Sequence, residues 1–223
     1  MRSKPAMLLG CLAVLLTTGC IEISVGGGSV GVPGSGTLQT EMRQVPDFDK
    51  IRILGVGTLD YSHSEELGLV VKTDDNLLPM ISTEVEDGVL VIRPIDSISP
   101  TELTYEISSP TLNGVTLEGA TKVNLDSIAS DSLTINVSGA SKIDAGGEVN
   151  QLIVDVSGAS KAELERLSSK TAMLKLSGAS KASVYASEAA DIEVNGVGKV
   201  DVHGNPKNQK QSVSGLGSVD FLN

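Results

Sequence analysis

The sequence predicts an all-β protein whose main body is a single-domain parallel β-helix. One segment nearly copies itself along the second half of the chain, apolar residues alternate strictly through every copy, and 24 glycines are spread along 223 residues with only 2% aromatics. Frequent glycine means frequent turning of the backbone. Scarce aromatics leave small aliphatic side chains to fill the core.

The copies are marked by Gly119, Gly139, Gly158, Gly178, Gly196 and Gly215, at intervals of 20, 19, 20, 18 and 19. Three of them read Ser138-Gly139-Ala140-Ser141-Lys142, Ser157-Gly158-Ala159-Ser160-Lys161 and Ser177-Gly178-Ala179-Ser180-Lys181. A leucine-rich repeat has a similar period but requires a leucine-dense consensus with a recurrent asparagine or cysteine, which this unit lacks. A β-helix rung fits. Leu133, Ile135, Val137, Ile143 and Ala145 share one phase, and Ile192, Val194, Val200 and Val202 keep it after a one-residue shift. That phase places Thr121, Ser141, Ser160, Ser180, Gly198 and Gly217 on the inner side or at a corner, where small residues let the wall bend. It sends Lys122, Lys142, Lys161, Lys181 and Lys199 outward as a column, with Asp144, Glu163 and Asp201 two residues beyond their lysines.

At the N-terminus, Arg2 and Lys4 precede an apolar run from Met7 to Leu16, and Thr17-Thr18-Gly19-Cys20 follows. The run is too short to span a bilayer and reads as a signal peptide over residues 1–19. Its end resembles the lipobox of bacterial lipoproteins, which implies acylation of Cys20 and a membrane partner reached through that lipid. Thr17 stands where leucine is usual. Ile21 occupies a place where lipoproteins retained at the inner membrane often carry aspartate, so the resemblance points to the outer membrane. Cys11 would leave with the signal peptide, so a disulfide is not expected. Six of the eleven residues from Gly26 to Gly36 are glycine, so residues 20–44 are expected to be the acylated cysteine and a flexible tether, with the β-helix domain spanning 45–223.

Ile51, Ile53, Leu59 and Tyr61 flank Gly55 and Gly57 in the phase of the repeats and predict a degenerate first rung. The 64 residues before Gly119 hold strand candidates at Leu67–Thr73, Ile81–Val85, Val89–Arg93 and Leu103–Ser108, with Glu86-Asp87-Gly88 as a hairpin signal. These less regular strands are expected to cover the first rungs and protect an edge. Asn205 to Lys210 is expected to interrupt the last two rungs, and Phe221-Leu222 to close the core.

The motifs Phe48-Asp49-Lys50-Ile51, Asp75-Asn76-Leu77-Leu78, Gly88-Val89-Leu90-Val91-Ile92, the Ser-Gly-Ala-Ser-Lys rungs and Val213-Ser214-Gly215-Leu216-Gly217-Ser218-Val219 occur in order. In these the chain resembles the bacterial family of putative auto-transporter adhesins with a head GIN domain, over roughly Val45 to Leu222. The resemblance implies a parallel β-helix, right-handed as parallel connections generally are, and a role in adhesion without a catalytic residue pattern.

Residue chemistry agrees with a noncatalytic reading. After removal of residues 1–19 the chain carries 15 basic against 28 acidic residues, a net charge of −13 that repels nucleic acid. His63 and His203 are the only histidines and stand in polar, turn-like settings, which disfavours a nucleophilic triad or a zinc site. The carboxylates beside the lysines are solvated and therefore ionised, unlike the general acid of a carbohydrate-active enzyme. No cofactor or metal is expected. Adjacent lysines about 4.8 Å apart would repel by about 0.9 kcal/mol in water, small enough for solvation and neighbouring carboxylates to offset. The expected function is contact with a glycan, matrix or envelope protein through a repeated surface, or a structural role beside a protein partner.

Overall fold

The computed structural model describes residues 31–222. The signal peptide over 1–19, Cys20 and the tether up to residue 30 lie outside the described residues. Sixteen strands follow in order: β1 Val32–Pro33, β2 Leu38–Met42, β3 Lys50–His63, β4 Gly68–Asp74, β5 Ile81–Glu86, β6 Val89–Pro94, β7 Ile98–Ser99, β8 Leu103–Ser109, β9 Gly114–Gly139, β10 Lys142–Gly158, β11 Lys161–Gly178, β12 Lys181–Tyr185, β13 Ala189–Gly196, β14 Lys199–His203, β15 Asn208–Gly215 and β16 Ser218–Phe221. Among the described residues no helix is long and apolar enough to cross a membrane.

From β3 and β9 onward each coil of the chain pairs in parallel with the coil before it, giving a β-solenoid of about five turns. The alternation seen in the sequence is the reason. Leu133, Ile135, Val137, Ile143, Ala145, Ile192, Val194, Val200 and Val202 are all buried in one continuous aliphatic core. From β9 to β14 no bulky aromatic is needed, because these rungs present Leu, Ile, Val or Ala over the like residue beneath; the buried aromatics Phe48, Tyr61 and Tyr105 stand at the capped end.

The uneven period has a single structural origin. The motif glycine and the first residue of the strand that follows its corner, lysine in five rungs, Thr58 in the first and Ser218 in the last, are always three residues apart, whereas the return path varies. Register slips where Asp144 and Gly146 of β10 face Glu163 and Arg166 of β11, and again where Ala145 and Gly147 face Leu125 and Ile128 of β9. The rung that is one residue shorter passes this corner on Gly146-Gly147, with Gly147 at φ +133°. Insertions are therefore confined to a corner, and the three-residue link between glycine and lysine stays fixed.

The degenerate rung is present: Gly55 pairs with Gly119 and Ile51, Ile53, Leu59 and Tyr61 are buried. The 50-residue excursion after it, between β3 and β9, is a cap. β6 and β8 lie parallel to the two halves of β3, and the antiparallel neighbours β5 and β4 complete it. Asp87 and Gly88 turn the β5–β6 hairpin with φ of +50° and +77°.

Two boundaries differ from expectation. The segment expected to stay flexible to residue 44 is part of the folded domain from residue 31, with β1 paired to β7 and β2 to β4. The cause is a polar latch distant in sequence: Asp74 accepts the Gly36 N–H at 2.8 Å and the Thr101 N–H at 2.7 Å, while Asn76 Oδ1 accepts the Ser35 N–H at 2.9 Å. Burial pushes the Asp74 carboxyl up, but the N–H groups of Thr101 and Gly36 outweigh it and leave it below its ordinary value. Arg43 then seals the cap by donating to the Ile81 and Leu78 carbonyls at 2.5 and 2.7 Å. Near the C-terminus, Asn208 to Lys210 belong to β15, so the interruption ends at Lys207. Phe221 packs partly buried against the core, as expected, whereas Leu222 is exposed.

Candidate contact face

The middle rungs turn a corner at Gly-Ala-Ser before reaching their lysines, and the corner explains why the motif has that composition. The motif glycines adopt positive φ, from +98° at Gly178 to +141° at Gly119. A Cβ on Gly158 would stand 2.3 Å from the Gly139 carbonyl oxygen below it, so only glycine fits. The alanine that follows is exposed, forming an apolar edge that continues into Val197 and Leu216. The serine turns inward and is buried. Its hydroxyl accepts an N–H from the rung below, Ser141 N–H to Ser160 Oγ and Ser160 N–H to Ser180 Oγ at 3.0 Å each. The same hydroxyls donate to the Gly139 and Gly158 carbonyls at 3.2 and 3.1 Å. In the last rungs Gly198 replaces this serine where a Cβ would meet Leu176 Cδ2 at 2.2 Å.

The corner delivers the lysines in register. Lys122 pairs with Lys142, Lys142 with Lys161, Lys161 with Lys181 and Lys181 with Lys199. Two residues on, Asp60, Asn124, Asp144, Glu163, Ser183, Asp201 and Asp220 form a second row in the same register. The face is thus a cationic row beside a mainly anionic one, repeated along the solenoid axis.

The two rows are coupled across rungs. Glu163 takes Lys142 Nζ at 2.8 Å on one oxygen and Lys161 Nζ at 2.5 Å on the other. Hydrogen bonds from Lys142 and Lys161 hold the Glu163 carboxyl at about 2, and the Glu163 contact raises Lys142 in turn. Lys199 lies 2.9 Å from Asp201 and 3.3 Å from Asp220, which raise it in that order. Lys122 and Lys181 have no carboxylate within 4 Å among the described residues. These two are the members of the column whose own rung carries Asn124 or Ser183 instead of an acid.

Sequence reasoning identified the column and three of its acids but not Arg166, which reaches back to pair with Asp144. Its signal was the extra residue of that rung, since Arg166 occupies the corner where the register slips. Arg166 and Asp144 line a cleft of about 520 Å³ with Asp60, Glu106, Asn124 and Asp126 at the capped end of the face. Toward the other end Lys161, Lys181, Lys199, Asp201 and His203 line a smaller one of about 370 Å³. Among the described residues no group of three or more His, Cys, Asp or Glu is placed to hold a metal ion. His63 is exposed and His203 half-buried. Cys20 lies outside the described residues.

The arrangement can make many weak polar contacts along one direction, and both clefts lie open to solvent. Residues 47–206 match the family described as putative auto-transporter adhesin, head GIN domain. Among solved structures, a putative adhesin from Bacteroides fragilis NCTC 9343 is 23% identical, with a TM-score of 0.71 covering 86% of this chain and 100% of that one. A putative lipid binding protein and a putative adhesin, both from Parabacteroides distasonis ATCC 8503, are each 20% identical over 86% of this chain and 99% of theirs, with TM-scores of 0.49 and 0.48. No curated protein matches the chain.

Proposed function

Because the chain belongs to the putative auto-transporter adhesin, head GIN domain family, we propose that it is a noncatalytic adhesion domain of the bacterial envelope. In this reading it is held at the outer membrane by a lipid on Cys20 and touches its target with the lysine and carboxylate rows. The supporting observation is the in-register column from Lys122 to Lys199 with its carboxylate row alongside. A ligand that repeats along its own length can meet several rungs at once, and affinity then grows with the number of contacts instead of the strength of one.

The charge pattern narrows the chemistry. Glu163, Asp201 and Asp220 neutralise three of the five lysines, so the face does not act as a purely cationic strip for polyanions. Phe48, Tyr61 and Tyr105 are buried, Tyr185 and Phe221 are half-buried, and the chain has no tryptophan, so among the described residues no row of exposed rings is offered for stacking on sugars. What fits is a hydroxyl-rich polymer such as an envelope or matrix glycan, held by hydrogen bonds from ammonium and carboxylate groups together.

The test is binding of the domain from residue 21 onward to glycan and matrix-protein arrays, beside a Lys142→Ala/Lys161→Ala/Lys181→Ala variant. Binding that drops at least tenfold in the variant supports the reading. Absence of binding by the unaltered domain, with a single envelope protein recovered by cross-linking from intact cells, would replace it with an accessory role beside a protein partner.

A further inference from the structure

The two ends of the large sheet are treated differently. At the C-terminal end β15 carries Lys210 and sets Gln209 and Gln211 over Ala190 and Ile192, so polar side chains occupy positions that are apolar one rung earlier. Charges and misplaced polar groups of this kind discourage further strand pairing. At the other end β5 and β2 are both edge strands; β5 carries Glu84 and Glu86, whereas β2, Leu38-Gln39-Thr40-Glu41-Met42, carries no lysine, proline or glycine. Its one charge, Glu41, is matched by Arg43 Nε at 3.3 Å. Leu38 and Met42 are both exposed large apolar side chains, at 42% and 80%.

The hydrogen-bond phase of β2 fixes which groups are free. The Arg43 N–H donates to the Leu69 carbonyl and the Asp75 N–H to the Thr37 carbonyl, so the odd-numbered residues bond to β4. By the alternation of an antiparallel ladder, Leu38, Thr40 and Met42 direct their N–H and C=O groups away from the sheet. Among the described residues no strand pairs with that side.

We propose that β2 is a homotypic docking edge, pairing antiparallel with β2 of a second copy about a two-fold axis through Thr40. That register joins Thr40 to Thr40 of the partner subunit and Leu38 to Met42 of the partner subunit. All three edge-facing residues then become bonded pairs, for about six new backbone hydrogen bonds. The side chains agree with the register: Leu38 meets methionine, and Gln39 meets a carboxylate to which its amide can donate. No other in-register centre on this strand brings both apolar residues together while using all three free backbone positions. The pairing joins two capped ends, so the two contact faces extend outward. It is independent of what those faces bind.

The experiment uses the full chain in detergent with Thr40→Cys, oxidised mildly and read on a non-reducing gel, with the unaltered chain as background for Cys11 and Cys20. The Cα separation of a bonded antiparallel pair, about 5.5 Å, lies within disulfide range. The expected result is covalent dimer at least tenfold above background, returning to background when Leu38→Lys and Met42→Lys are added. Because both lysines enter at exposed positions, melting curves of all forms should coincide, which separates loss of pairing from loss of fold. Dimer at background level for Thr40→Cys, or a yield that the two lysines lower less than twofold, overturns the proposal.

Discussion

Ser160 Oγ accepts the backbone N–H of Ser141 at 3.0 Å and donates to the Gly139 carbonyl at 3.2 Å, so one hydroxyl fastens two consecutive rungs at the corner that feeds the lysine column. The position requires a small side chain, and in the middle rungs the serine hydroxyl also supplies the acceptor for a buried N–H.

Ser160→Ala should therefore destabilise the domain by about 1–3 kcal/mol, the cost of leaving a buried N–H without a partner. Ser157→Ala, whose hydroxyl is half-exposed and bonds only the Val137 carbonyl at 3.2 Å, should cost less. Urea unfolding of the two variants side by side makes the comparison, and equal midpoints would contradict the assigned role.

Gly158→Ala should be worse than either serine change. It forces φ of +111° on a residue with a side chain and drives the Cβ to 2.3 Å from the Gly139 carbonyl oxygen. A backbone that must shift here loses the bond from Ala159 N–H to that same oxygen, now 2.9 Å. A loss above about 3 kcal/mol is expected from strain and clash together, measured as the fall in unfolding free energy. Gly146→Ala, at a glycine without positive φ, serves as the mild control.

Ile135→Asp places a carboxylate in the middle of the aliphatic stack, where Ile135 is fully buried between Val115 and Val154 of adjoining rungs. An unpaired buried charge costs several kcal/mol against a total of about 5–15 for a typical domain. Thermal unfolding should show a large drop in midpoint or no folded baseline, and an unchanged curve would mean that the inward phase is misassigned.

Glu163 gives a pH signature. Its carboxyl stands at about 2, held there by Lys142 first and Lys161 second, below the ordinary glutamate value of about 4.3. A carboxyl depressed by folding adds stability that is fully present above the unfolded value and disappears as pH falls from about 4.3 toward 2. Glu163→Gln should flatten that part of the stability profile. An NMR titration should find the midpoint returning upward in Lys142→Ala/Lys161→Ala, and a midpoint indifferent to both lysines would break the proposed coupling between rows.

Much of this fold was legible in the sequence because its contacts recur at one short period. Alternation gave the inward set, the spacing of motif glycines gave the rungs, and Glu86-Asp87-Gly88 marked the cap hairpin. Features resting on pairings distant in sequence were not legible. The glycine-rich segment from Gly31 to Gly36 has the composition of a tether, yet it is held by Asp74 and Asn76 some forty positions on. Arg43 looks like any surface arginine until Leu78 and Ile81 are seen to offer it carbonyls. The corner serines were legible as small inward residues but not as clamps, since a hydroxyl and a methyl satisfy the same periodicity. At the contact face the lysine column followed from the repeat, whereas sharing of Glu163 between two rungs depends on side-chain reach that spacing alone leaves open.

The contact face exists only if the lysine-bearing segments are stacked in register. Pulsed electron resonance between spin labels at Lys122→Cys and Lys199→Cys tests this directly, since the two sites are 77 residues apart in sequence but four rungs apart in space. Stacked rungs predict a single narrow distribution with backbone sites separated by about 19 Å, four steps of about 4.8 Å. A broad distribution, or one centred well beyond 30 Å, would contradict the column and the contact face built on it.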